Sequence, residues 1–361
     1  MSYHVFFPSY TIGADAYDKI PEICGRYGKK AVLIGGKTAL SKVQGELTSV
    51  LKAGGFEILD VLWYGGDCTE ENAAALKENA AVQAADMIFG IGGGRALDTC
   101  KIIAHALEKT LFTVPTIAST CAAATAISVT YHADGSFNGV HLSKVSANHI
   151  FISTKIIAEA PAVYLWAGIG DTLAKHYEAT VSTRSLELAH SDALGISISP
   201  LCAEPLLTYG EQAMEDCRQH KASYAFEQTV LSIIISTGLV SLLLTKQDYN
   251  TGLAHAIYFG LVALAKHPEK HLHGEIVAYG VLVLLMLDQQ KETLARVYRF
   301  AKSIALPTRL QDLDVTTAEE IATVIRTAAS MPDVQEVWPY PVTEASVRAA
   351  VMALEAYTPA E

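Results

Sequence analysis

The chain has 361 residues, half of them hydrophobic and 18% charged, and 27 Lys+Arg against 38 Asp+Glu give a formal net charge of -11. That length exceeds what one hydrophobic core usually serves, so two domains are expected; the mean hydropathy of +0.25 points to surface buried between subunits, hence a homo-oligomer. The acidic balance, with no basic run interleaved with aromatics, speaks against nucleic acid as a partner.

The first residues, MSYHVFFPSY, lack a basic n-region and a long apolar core, so no signal peptide is expected. Strands at 31–35 and 56–64 alternate with helices near 40–53 and 71–84, a rhythm that predicts a mostly parallel sheet covered on both faces. Between Asp86 and Ile103 the chain reads DMIFGIGGGRALDTCKII. An apolar strand, Met87 to Ile91, stops at Gly92, Gly93 and Gly94, and a helix begins at once, with Leu97, Cys100, Ala104 and Leu107 spaced as one buried stripe. Glycines at such a turn let an anion approach the N–H groups at a helix N-terminus, and Arg95 adds a cation, so the turn reads as a pyrophosphate cradle or as a tight connection only. A further strand, 112–117, leads into ASTCAAATAISVTYHADGSFNGVHLS, where Asp134-Gly135 predicts a hairpin built on the sheet, and 149–153 reads as a last strand.

After Pro161 the chain becomes Ala/Leu-rich, with helical stretches at 162–182, 223–245, 253–264, 276–289 and 291–304. The expected organisation is therefore an α/β Rossmann-like domain over residues 1–158 and an all-α domain over 159–361, packed closely around a cleft. The uncharged run Val230 to Thr245 falls short of the roughly 20 apolar residues that span a bilayer and contains three serines, so it reads as a central buried helix and no membrane partner is expected. Cys24, Cys68, Cys100, Cys121, Cys202 and Cys217 are scattered without a CxxC pair, which fits reduced thiols and a cytoplasmic location.

In the helical half, GIGDTLAKHYE places Asp171 on an apolar helix, GLAHAIYFG places His255 on another and HLHGE places His273 before a third. One carboxylate and two imidazoles form a ligand set for Zn²⁺ with an open fourth position, although each residue taken singly also reads as a helix cap or a satisfied core histidine.

Taken together, HLHGEIVAYG, GIGDTLAKHYEA, VPTIASTCAAATAISVTY, GIGGGRALDTCK, FPSYTIGADA and WYGGDCTEENAAAL resemble the glycerol dehydrogenase branch of the metal-dependent (iron-containing) alcohol dehydrogenase superfamily, and the likeness runs over nearly the whole chain. The resemblance implies a dehydroquinate synthase-like architecture, NAD or NADP as cofactor, Zn²⁺ or another divalent metal on Asp171, His255 and His273, and reversible hydride transfer to or from an alcohol, polyol or 2-hydroxy acid. It also implies that Gly93, Gly94, Arg95 and Asp98 belong to the phosphate-binding stretch, that Thr116 and Ser119 line the adenosine and phosphate side, and that Thr125, Ile127 and Tyr131 lie beside the nicotinamide. The position where the wider superfamily often has a further histidine is Lys175; His176 faces another side of the helix, and His267 and His271 read as surface residues or supports of the ligands.

Two departures bear on specificity. Where relatives that use NAD have an acidic residue after the first strand, this chain has Gly36 followed by Lys37, so a 2′-phosphate is not repelled and NADPH is expected to serve at least as well as NADH. Cys121 stands where the resemblance places an Asp beside glycerol, which makes 2-oxo and 2-hydroxy acids plausible substrates, with Lys175 as the nearest candidate for a substrate carboxylate. The rival readings are a dehydroquinate-synthase-like cyclase, which needs several Lys or Arg to grip a phosphate, and a catalytically silent dinucleotide-binding protein.

Overall fold

The computed structural model describes residues 5–246, 249–264 and 270–359. The chain divides into two compact units, Met1–Pro161 with Asp216–Ala222, and Ala162–Glu215 with Ser223–Glu361. The short segment 216–222 carries no mark in the sequence that would assign it to the first unit.

The first unit contains β1 (Ser9–Gly13), α1 (Ile20–Cys24), β2 (Lys30–Gly35), α2 (Lys37–Ala53), β3 (Glu57–Trp63), α3 (Glu70–Lys77), α4 (Ala80–Ala84), β4 (Met87–Gly92), α5 (Gly94–Ala106), β5 (Thr110–Pro115), β6 (Ile127–Tyr131), β7 (Phe137–Leu142), β8 (His149–Ser153) and α6 (Thr154–Ala158). Six of the strands form one sheet in the order β1-β8-β5-β4-β2-β3, and every pairing in it is parallel. Side chains alternate across the sheet. Leu33, Phe89, Phe112 and Phe151 pack on one side with Leu40, Val43, Leu47 and Leu51 of α2, while Val32, Ile34, Ile88 and Leu111 pack on the other with Cys100, Ile103 and Ala104 of α5. From β2 the chain moves outward to β3 and then returns to β4 on the opposite side of β2. That reversal is a topological switch point, the place where open α/β sheets leave a crevice beyond the strand ends.

Three sequence expectations change. The helix expected over 71–84 is two helices, because Asn79 leaves helical geometry and its Oδ1 accepts the N–H groups of Ala81 and Val82 at 2.9 and 3.2 Å, capping a new helix. The Asp134-Gly135 hairpin forms, with Gly135 at φ +82°, but β6 and β7 make their own two-stranded antiparallel sheet instead of extending the main one. The strand β1 was not anticipated; it is a half-exposed edge held in register beside β8.

The second unit is helical among its described residues: α7 (Ala162–Thr183), α8 (His190–Ile198), α9 (Glu204–Arg218, whose last residues cluster with the first unit), α10 (Tyr224–Leu231), α11 (Thr237–Leu243), α12 (Leu253–Val262), α13 (His273–Leu287), α14 (Lys291–Ser303), α15 (Ala318–Ser330), α16 (Pro332–Gln335) and α17 (Glu344–Glu355). A π-type turn, Ser232–Ser236, joins α10 to α11. The resulting stretch Tyr224–Leu243 is, among the described residues, the one helix long and apolar enough to cross a membrane, a test that core helices of soluble proteins also pass. Its Phe226, Val230, Ile233, Ile234 and Val240 are fully buried.

Candidate functional site

Asp171, His255 and His273 come from three helices, and glycines set how closely those helices meet. A Cβ on Gly170 of α7 would lie 2.2 Å from the Gly274 carbonyl oxygen, and one on Gly274 of α13 would lie 1.8 Å from the Ala167 carbonyl oxygen. Only hydrogen at both positions permits this crossing, which places the first residue of α13, His273, beside Asp171. A Cβ on Gly280 would likewise come within 2.5 Å of the Ala254 carbonyl oxygen, so α12 also packs backbone to backbone against α13.

The start of α13 is fixed by the last residue of the HGE triplet. Glu275 accepts the Leu272 backbone N–H at 3.0 Å with one oxygen and meets His271 Nδ1 at 2.9 Å with the other. His271 thus supports the helix start rather than joining the donors, and His267 lies outside the described residues.

His273 Nε2 is 3.1 Å and His255 Nε2 is 3.8 Å from Asp171 Oδ1, and one ligand atom from each residue lies within 4.8 Å of the others. The Tyr258 ring meets His273 edge-on, 4.3 Å between centroids. Behind His255 stands Glu178, fully buried, whose Oε1 accepts the His255 backbone N–H at 2.9 Å and whose Oε2 lies 2.6 Å from His255 Nδ1. The carboxylate therefore satisfies one of the orphan N–H groups at the start of α12 and takes the ring proton on Nδ1, leaving the Nε2 lone pair toward Asp171. Burial pushes the Asp171 carboxyl up, but His273, His255 and Lys175 together outweigh it and hold the group below the usual carboxylate range. For His255, burial lowers the imidazole and Glu178 and Asp171 more than offset that.

This donor set fits a divalent cation. Small side-chain shifts from these separations let three lone pairs share an atom at bond lengths near 2 Å, and a carboxylate behind a ligating imidazole is the usual support for such a site. Glu178 was not singled out in the sequence, although its spacing of seven residues from Asp171 puts both on one face of α7.

Lys175, one turn after Asp171, is buried and donates to the backbone oxygen and Oδ1 of Asn250, each at 3.0 Å. His176 faces elsewhere and meets Ser199 Oγ at 2.9 Å.

In the first unit the candidate phosphate site forms at the switch point. Gly36, the N-cap of α2, donates its N–H to the Ile91 carbonyl at 3.3 Å, which brings the turn after β2 beside the turn after β4. Gly92 has φ +142°, and Gly93 caps α5 while a Cβ there would lie 2.6 Å from Ile117 Cδ1. The 116–122 loop closes over this turn: Thr116 donates its N–H to the Gly92 carbonyl at 3.2 Å, and Thr120 and Ala122 approach Gly94. Ser119 and Cys121 lie in the same loop, both partly exposed. Lys37 is exposed and holds its ammonium 4.3 Å over the ring of Trp63, at the end of β3.

Two residues assigned to the phosphate stretch are engaged by the protein. Arg95, the cation expected at the turn, pairs with Asp67 at 2.8 Å and stacks 4.7 Å over the Tyr131 ring. Asp98 turns inward to Lys101 at 2.8 Å and accepts the Val129 N–H at 2.9 Å. Lys101, 1% exposed, also donates to Thr125 Oγ1 at 3.3 Å and to the Ile127 carbonyl. The pair thereby pins Thr125 and the strand after it, β6, which carries Ile127 and Tyr131; a lysine inside an apolar helix gave no sign of this.

A doubly wound parallel sheet with a glycine turn at its switch point, and a helical unit that gathers one carboxylate and two imidazoles, define a two-part scaffold of the alcohol dehydrogenase kind. The comparisons agree. Residues 8–153 match the family described as iron-containing alcohol dehydrogenase. Glycerol dehydrogenase from Thermotoga maritima is 32% identical over 98% of this chain and 96% of its own length. Hydroxycarboxylate dehydrogenase A from Escherichia coli is 34% identical over 91% and 90%. Glycerol dehydrogenase from Schizosaccharomyces pombe superposes with a TM-score of 0.88, at 26% identity, over 99% of this chain and 91% of that one. The chain belongs to the iron-containing alcohol dehydrogenase family, among its glycerol dehydrogenase-like members.

Proposed function

We propose that this chain is a metal-dependent, NAD(P)-linked dehydrogenase that interconverts an alcohol, a polyol or 2-hydroxy acid, with its carbonyl form. The observation that carries this reading is the convergence of Asp171, His255 and His273, with Glu178 fixing the proton on His255. In this reading Asp171, His255 and His273 hold Zn²⁺ or a similar ion, and residues 159–361 supply the metal and substrate site. Residues 1–158 take the dinucleotide, with its diphosphate at Gly93, Gly94 and the N-terminus of α5 and its adenosine ribose near Gly36 and Lys37. When bound, the cation supplies Lewis acidity and the nicotinamide accepts or returns hydride. The chain's own contribution is to orient: Glu178 holds His255 in one tautomer, the glycine crossing holds His273 to Asp171, and Lys101 steadies the strand after Thr125. A cytoplasmic homo-oligomer acting on small molecules completes the proposal.

The experiment is an assay of NADH and NADPH oxidation with 2-oxobutyrate, glyoxal-type carbonyls and glycerol, with and without added zinc. Turnover is expected with at least one carbonyl, and kcat/KM for NADPH is expected to equal or exceed that for NADH, because Gly36 offers no carboxylate to repel a 2′-phosphate. His273→Ala should abolish turnover and leave dinucleotide binding within about twofold. An unchanged rate in that variant overturns the metal assignment, and a strong NADH preference overturns the cofactor assignment.

A further inference from the structure

Beside the three donors of the second unit stand two buried charged side chains, Glu178 and Lys175, and Asp171 itself is partly buried. The Lys175 ammonium meets two neutral amide oxygens, the backbone oxygen and Oδ1 of Asn250, at 3.0 Å each. Its direct partners therefore leave its charge uncancelled, and Lys175 follows Asp171 by one turn of α7. That charge is felt at both Asp171 and His255. With the imidazoles neutral, as metal ligation requires, two carboxylates and one ammonium give the site one negative charge. A divalent cation turns that into one positive charge beside the buried Lys175 and Glu178, where an unmatched charge is costly. Without Lys175 the loaded site would be neutral.

Resting on the dehydrogenase reading above, we propose that Lys175 sets the substrate class: it leaves the loaded site with a positive charge that an anionic 2-oxo or 2-hydroxy carboxylate neutralises and a neutral polyol does not. Lys175 needs no direct contact with the substrate for this, because the interaction is through space at low effective dielectric. It is a specificity-determining residue that acts through the field of the site.

The test compares Lys175→Met, which keeps the apolar stem, with Lys175→Arg, which keeps the charge. Three readouts are taken: calorimetric zinc affinity of the metal-free protein, calorimetric binding of oxamate to the zinc-loaded protein, and kcat/KM for 2-hydroxybutyrate against 1,2-butanediol. In Lys175→Met, zinc should bind about tenfold tighter, since a like charge has been removed from beside the ion, while oxamate binds about tenfold weaker. The preference for the acid over the diol should fall about 10- to 100-fold, chiefly through KM, and Lys175→Arg should restore it. A purely structural role through Asn250, whose loop leads into α12, would instead loosen His255 and weaken zinc and oxamate together; that result, or an unchanged acid-to-diol ratio, overturns the proposal. If the unaltered enzyme turns over no substrate, the dehydrogenase reading fails, and the zinc and oxamate measurements still decide the role of Lys175.

Discussion

Glu178 reads in the sequence as one more polar residue on an Ala-rich helix, yet in the structure it is fully buried and both of its oxygens are committed to His255. Replacing it by Gln keeps the shape but offers an NH₂ where an acceptor is needed, so either the His255 N–H or its ring Nδ1 loses its partner. Zinc affinity of Glu178→Gln, measured by calorimetry on the metal-free protein, should fall roughly 10- to 100-fold while the helical content is unchanged. Affinity equal to that of the unaltered protein would show that the ring is oriented by packing alone. Asp171, His255 and His273 were legible because each stands in a short motif that matches the family, whereas Glu178 and Lys101 were not, because their roles exist only once a distant backbone is brought to them. Lys101 is the sharper case: a buried lysine is rare, and only the fold reveals Asp98, Thr125 and Ile127 gathered around it.

Helix crossings are the scale at which the donor cluster is built, and glycine is the residue that encodes them. Gly274→Ala would set a methyl 1.8 Å from the Ala167 carbonyl oxygen, a backbone atom that cannot move aside without shifting α7. The expected cost is on the order of 3 kcal/mol in urea unfolding, together with loss of measurable zinc binding, since His273 is the residue immediately before Gly274. Gly45, on α2 with open space around it, is the control: Gly45→Ala should stabilise by up to about 1 kcal/mol. The sequence made the main strands legible through their apolar runs, and α5 through its stripe. It hid the break between α3 and α4 because Asn79 looks like any polar helix residue until its side chain is seen capping, and it hid β1 because an edge strand buries too little to leave a pattern. The crossing glycines gave no warning either, as a glycine in an apolar helix is legible only as a weakness.

At the scale of the whole molecule, stability against acid depends on histidines that fold in neutral form. His149 opens β8, 5% exposed, with its ring nitrogens 2.6 Å from Ser9 Oγ and 2.8 Å from Thr11 Oγ1 of the neighbouring strand β1. Burial, with a smaller push from Arg26, lowers its pKa from 6.5 to about 4. Above pH 6.5 the imidazole is neutral in both folded and unfolded chains and contributes no pH dependence. Below that value the unfolded chain takes up a proton that the folded chain refuses, so stability declines as the pH falls, by roughly 3 kcal/mol by the time pH 4 is reached. Urea midpoints measured at pH 7 and pH 5 should therefore differ more for the unaltered protein than for His149→Gln, which presents polar atoms to Ser9 and Thr11 but does not titrate in this range. His141 and His176 are lowered by burial in the same direction, so the variant should retain part of the acid slope rather than lose it entirely. A slope identical in both proteins would mean that the edge strand opens in acid before the core unfolds, leaving His149 exposed and free to protonate ahead of the main transition.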